Sequence, residues 1–277
     1  MPLFSGYGQV IESARPIPGM VRIDEASEAD LRIEWLAPQA LPPLSHDAWS
    51  RTADGLTWVA PGVARYHCRP DSIEVRPDPG ARDEDVTALL ISTALPAAMW
   101  QQGHFVLHAT GLALSSGGPV VAIGGPSGSG KSTVAQQLLD GGAALVGDDT
   151  LRIDTAGNIS GLPGGLFIPR ADPAERDFVA TNRVSRGGPL RAIIFLGKRT
   201  GDWAIRPLDK VDALAHILAL QHRPRIPALL GRRGAALRIA ADLVRRVPVF
   251  IWHRRSGAIQ LESGEHDALG AIAGNAA

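Results

Sequence analysis

Residues 125 to 132 read Gly125-Pro126-Ser127-Gly128-Ser129-Gly130-Lys131-Ser132, a complete phosphate-binding loop of the form G-x-x-x-x-G-K-[ST]. An apolar run, Val120-Val121-Ala122-Ile123, precedes it, and a helix-compatible stretch from Val134 to Leu139 follows. That strand–loop–helix setting gives the pattern a mechanism. Glycines let successive backbone N–H groups curl around phosphate oxygens, and the helix N-terminus adds partial positive charge. Lys131 is placed to reach the outer phosphates, and Ser132 to offer its hydroxyl to Mg²⁺. Of 28 basic side chains only three are lysines (Lys131, Lys198 and Lys210), so a lysine here is not compositional background. The loop implies a bound nucleoside triphosphate.

Composition narrows the partners. A chain of 277 residues suits one large domain, or one with a small companion. It carries no formal net charge, so it lacks the electrostatic footprint of a nucleic-acid or membrane-surface binder. The one dense basic group, Arg223, Arg225, Arg232 and Arg233, reads as a solvated helix face. Cys68 is the only cysteine, which excludes a disulfide framework and a cysteine-based metal cluster. Met-Pro-Leu-Phe-Ser-Gly shows no signal peptide, and no apolar stretch reaches membrane-spanning length. A cytoplasmic protein without nucleic-acid or membrane partners is expected.

Residues 1 to 80 show short β-like runs punctuated by Pro, Gly and Asp, a small β-rich N-terminal region. From Arg82 to Gln102 the period becomes helical, with Asp83, Glu84 and Asp85 in the first turn and Pro96 set to kink or divide the helix. Residues 81 to 277 are therefore expected to form the domain that carries the phosphate loop. A strand from Phe105 to Leu114 should hairpin at Ser115–Pro119 into the loop strand. Ala143 to Gly147 reads as a buried strand ending in Asp148-Asp149, and a further hairpin is expected about Ala156-Gly157-Asn158. Arg191–Gly197 and Trp203–Leu208 look like paired strands, Val211–Leu220 and Ala228–Val247 like helices. Pro248–His253 and Ala258–Leu261 suggest a closing hairpin, with a frayed tail after Gly264. Residues 161 to 189 carry several Gly and Pro without periodicity, which marks a mobile functional loop. Its charged candidates are Arg170, Glu175 and Arg176.

The second informative feature is a spacing. Asp148 follows Lys131 by 17 positions (148 minus 131), room for one short helix and one strand. Most P-loop ATPases and GTPases carry their metal-binding aspartate much further on, and the guanine motif N-K-x-D is absent. Adjacent aspartates often make no more than a solvated turn. Here an apolar strand returns them to the phosphate side, where one can serve as base and the other as an oxygen ligand for Mg²⁺. His108 precedes Lys131 by 23 positions (131 minus 108), on a strand expected beside the loop strand.

These pieces together resemble the HPr kinase/phosphorylase family, in its catalytic domain and its shorter kinase-like members. The matching residues are His108, the loop Gly125 to Ser132, and Leu145-Val146-Gly147-Asp148-Asp149. The resemblance covers about residues 105 to 155, and the arrangement is similar to that of phosphoenolpyruvate carboxykinase. It implies an α/β P-loop kinase of that type, with a small β-rich N-terminal region. Its cofactors would be ATP and Mg²⁺, and its acceptor a Ser or Thr hydroxyl of a peptide or small protein. Carried over, the nucleotide is held by Gly125, Pro126, Ser127, Gly128, Ser129, Gly130, Lys131, Ser132 and Thr133. Asp148 acts as base, Ser132 and Asp149 face the metal, and His108 lies near the transferred phosphoryl group with Lys131. The sequence departs from the bifunctional members in its N-terminal region, in Thr133 where an acidic residue is usual, and between 161 and 189. A kinase is implied rather than a kinase/phosphorylase. Some shorter homologues belong to ribosomal-peptide pathways, notably of lasso peptides, and phosphorylate a hydroxyl at the precursor's C-terminus. The family's hexamers imply a homo-oligomer. A small-molecule kinase on the same fold, or a nucleotide sensor without transfer, are the competing readings.

Overall fold

A computed structural model describes residues 1–24, 28–41, 48–115, 117–126, 128–162, 164–169 and 176–275. It is a mixed α/β chain that divides into two compact units. The first comprises Met1–Val106 and His222–Gly234, the second Leu107–Gln221 and Ala235–Ala277. The expected boundary after residue 80 thus falls inside the first unit, and the helical stretch that follows it belongs with the N-terminal strands.

The first unit is built on an eight-stranded sheet in the order Val21–Ile23, Leu3–Gly6, Gln9–Ser13, Leu31–Trp35, Ser72–Pro77, Ala64–Cys68, Leu56–Ala60, Trp49–Arg51. Leu31–Trp35 pairs parallel with both neighbours and the remaining pairs are antiparallel. Period-two alternation turns Ile11, Leu31, Ile33, Tyr66, Cys68, Ile73 and Val75 inward, each fully or almost fully buried. The helical stretch from Asp83 to Gln101 packs against these strands through Val86, Leu90, Ala94 and Ala98. Tyr66 Oη donates to Val86 O at 2.7 Å, and Gln101 Nε2 to Cys68 O at 2.8 Å.

Pro96 does disturb this helix, and the way it does so is informative. The turn Leu90–Ala94 widens to a π-helix just before it. Proline has no N–H for the carbonyl four residues back, which is that of Ser92. Arg223 Nε supplies the missing donor at 3.0 Å. Arg232 Nη1 likewise caps the helix end, donating to Trp100 O at 3.2 Å and Gln101 O at 2.7 Å. Two of the arginines expected on a solvated face are therefore helix struts. The long helix expected over 228–247 is also divided, into Arg225–Leu229 and Arg233–Arg246, with Gly231 at φ +67° between them.

In the second unit Val120–Gly124 lies between Ala109–Ala113, antiparallel, and Gly188–Leu196, parallel. Ala144–Gly147 adds beyond Ala109–Ala113, and Val249–His253 adds parallel beyond Gly188–Leu196. The expected long strand 105–114 is interrupted at His108, whose N–H bonds Leu220 O at 2.7 Å. Ala204–Pro207 pairs with Val249–His253, not with 191–197 as expected. Burial explains the order: Trp252 and Val249 need cover on both faces, whereas Ala204–Pro207 is half-exposed and suits an edge.

Residues 258–261 form no strand. Gln137 pins them instead, donating through Nε2 to Ile259 O and accepting from Leu261 N, both at 2.8 Å. The tail expected to fray is a helix, Ser263–Asn275, held by buried Glu265, Leu269 and Ala273. Nor is 161–189 without structure. Gly165–Pro169 and Arg176–Ala180 form a hairpin, Leu166 enters the core, and Leu145 exchanges backbone bonds of 2.8 Å with Arg183 and Ser185. Arg170 and Glu175 lie outside the described residues, as does the side chain of Arg176. Among the described residues no helix is long and apolar enough to cross a membrane.

Candidate functional site

Strand direction assembles the site. Val120–Gly124 and Ala144–Gly147 both run antiparallel to Ala109–Ala113, hence parallel to each other. Ala109 lies opposite Gly124 and Gly111 opposite Gly147. The C-terminal ends of two strands and the N-terminal end of a third therefore meet on one sheet edge. That edge brings together the phosphate loop, Asp148-Asp149 and His108, three segments apart in sequence. Ligands in α/β sheets collect at such strand ends.

The loop enters a helix, Lys131–Asp140, whose N-cap is Gly130 in the left-handed region at φ +95°. No side chain of the N-cap residue bonds the first turn, so glycine leaves the helix's leading N–H groups to an anion. Gly125 is required for space: a Cβ there would stand 2.8 Å from Ser129 Oγ and 3.1 Å from Leu196 Cβ. Lys131 Nζ donates to Gly125 O at 2.9 Å and Pro126 O at 3.2 Å, which holds its ammonium over the loop. Ser129 Oγ is buried and has no hydrogen-bond partner among the described residues. Ser132 is half-buried in the helix's first turn, whereas Thr133 is exposed. Ser127 lies outside the described residues.

Asp148 is 8% exposed, and Thr110 Oγ1 donates to its Oδ1 at 2.6 Å. Asp149 takes φ +66°, a left-handed conformation that Asp tolerates better than most residues. This twist points the two neighbouring carboxylates differently. His108 Nδ1 lies 3.0 Å from Asp149 O and 3.4 Å from Asp149 Oδ1. A carbonyl oxygen only accepts, so Nδ1 carries the hydrogen. The interruption of the strand at His108 is what lets the ring reach that carbonyl. Behind the pair, Gly147 passes Gly161 so closely that a Cβ would stand 2.7 Å from Gly161 Cα.

Of the residues read from sequence, His108, Asp148 and Asp149 form one bonded cluster with Thr110, on the sheet edge that also carries Lys131. Thr110 was missed. Its signal was available, since it lies two residues after His108 and strand alternation puts both on one face.

Fold and site together define a mixed α/β protein with a phosphate-loop sequence beside an immobilised aspartate pair. No family model matches the chain, and no curated protein matches it. Among solved structures it is similar to the HPr(Ser) kinase/phosphatase from Coxiella burnetii, at 15% identity and a TM-score of 0.33. The match covers 60% of this chain and 93% of that one. The likeness is a distant structural one, and the chemistry has to be read from the residues.

Proposed function

We propose that the protein is an ATP-dependent kinase that phosphorylates a Ser or Thr hydroxyl of a peptide or small protein. The observation that carries this reading is the buried Asp148, oriented by Thr110 on the sheet edge where the phosphate loop begins. A nucleotide sensor has no use for an oriented carboxylate there. In the proposed transfer the acceptor oxygen bonds the γ-phosphorus as the bond from that phosphorus to the bridging oxygen breaks. ADP leaves with the bond's electron pair, and the hydroxyl proton passes to Asp148. Lys131 and the helix N-terminus bind and orient the phosphates. His108 fixes the backbone of Asp149, and so the direction of its carboxylate.

The residues fit the two cofactors this reading needs. The unpaired Ser129 hydroxyl and uncapped helix N-terminus suit a triphosphate, and Ser132 with Asp149 offers the hard oxygen donors that Mg²⁺ takes. When bound, Mg²⁺ would neutralise phosphate charge. Incubation with γ-labelled ATP, Mg²⁺ and fractionated peptides and small proteins tests the proposal. Label on a Ser or Thr of one component is expected, and should vanish with Asp148→Asn. Label on a small metabolite alone would move the reading to a small-molecule kinase. Tight ATP binding with no transfer to any fraction would make it a sensor.

A further inference from the structure

A cleft of about 610 Å³ opens beside the phosphate loop, within the second unit. Pro126 and Ser129 form its loop side, and Phe195, Lys198, Ile251 and His253 its far side, at the ends of two parallel strands. Its size falls within the range of small-ligand clefts, about 300–1,000 Å³. Phe195 and Ile251 offer an apolar surface, and His216 holds the Phe195 ring edge-on with centroids 4.4 Å apart. At the loop end stands Ser129, whose buried hydroxyl has no partner among the described residues. An orphaned polar atom on a cleft wall marks where a polar ligand meets the protein.

The opposite wall has a defined polarity. His253 Nδ1 lies 2.8 Å from Lys198 O. The carbonyl can only accept, so Nδ1 donates, and Nε2 of the neutral ring is left as an acceptor. Gly197 permits this pose, because a Cβ there would stand 2.8 Å from His253 Cε1.

We propose that this cleft takes the nucleoside half of the triphosphate, with the base against Phe195 and Ile251 and His253 Nε2 selecting an amino-bearing base. Adenine presents an N–H donor where guanine presents a carbonyl, and two facing acceptors repel. Adenine is therefore preferred. The inference rests on the triphosphate reading of the loop, so its test separates the two.

Calorimetry would compare Mg²⁺–ATP, Mg²⁺–GTP and Mg²⁺–tripolyphosphate on the wild type, His253→Ala, Ile251→Trp and Lys131→Ala. The wild type should bind ATP about tenfold tighter than GTP, the worth of one net hydrogen bond. His253→Ala should erase that difference and leave tripolyphosphate affinity unchanged. Ile251→Trp, which fills the cleft, should lower ATP affinity to that of tripolyphosphate. Retained tripolyphosphate binding also shows that the two cleft variants are folded. Wild-type ATP affinity and base preference in both cleft variants would overturn the assignment while leaving the loop reading intact. A wild type that ignores tripolyphosphate, with ATP binding indifferent to Lys131→Ala, would remove the loop reading and this one with it.

Discussion

Thr110 Oγ1 and Asp148 Oδ1 are joined by a 2.6 Å hydrogen bond between two buried side chains, one on a strand and the other just past the end of its neighbour. The bond fixes one carboxylate oxygen and thereby the direction of the whole group. Thr110→Val keeps the volume and removes the donor. Leaving the carboxylate without it should cost about 1–3 kcal/mol. Turnover should fall about tenfold to a hundredfold, since each 1.4 kcal/mol is tenfold, while ATP affinity holds. Thr110→Ser should restore most of the loss. Separate kcat and KM measurements check this, because a purely structural role would move stability and leave the valine variant's kcat intact.

The aspartates should divide their work. Asp148→Asn retains shape and the Thr110 contact, yet an amide takes no proton at neutral pH, so transfer should collapse with ATP affinity unchanged. Asp149→Asn should instead weaken Mg²⁺–ATP binding along with turnover. Asn accepts the left-handed backbone at this position, so the variant should fold. The reverse pattern in paired affinity and turnover measurements exchanges the two roles.

Lys131→Ala should reduce transfer by about a hundredfold or more, because the ammonium is the loop's only full positive charge. Ser132→Ala should raise the Mg²⁺ concentration needed for half-maximal rate. Titration of Mg²⁺ against initial rate gives the answer, and an unchanged curve removes Ser132 from the metal.

Stability of the second unit should depend on Glu265. Its carboxylate is buried, accepts from Trp252 Nε1 and Glu262 N at 2.9 Å each, and lies 3.8 Å from Arg254 Nε. Burial pushes the Arg254 guanidinium below its usual value, and the charge of Glu265 opposes that shift. Glu265→Ala strands a buried cation and should destabilise by about 3–5 kcal/mol. Denaturant unfolding of the variant measures it.

Cys68 should be inert in the native protein. Burial pushes its thiol well above the usual range, so almost no thiolate forms at neutral pH. Iodoacetamide labelling should appear only with unfolding, and rapid labelling of native protein would contradict the buried position.

What the sequence determined by itself was local. The order G-x-x-x-x-G-K-S, the apolar strand before it and the aspartates 17 positions after Lys131 (148 minus 131) need only short-range geometry, and the alternating N-terminal runs announce their own strands. What lay between distant segments was decided by tertiary packing. Val249–His253 takes the place beside Gly188–Leu196 that Ala204–Pro207 was expected to hold, because Trp252 needs burial. The last helix forms because Glu265 and Leu269 find partners in the core. The cluster of His108, Thr110, Asp148 and Asp149 owes its shape to a strand broken at His108 and a left-handed Asp149. Neither has a signature in composition or period, since the His108 backbone is held by Leu220 and the Asp149 carbonyl by the His108 ring, partners far away in the chain.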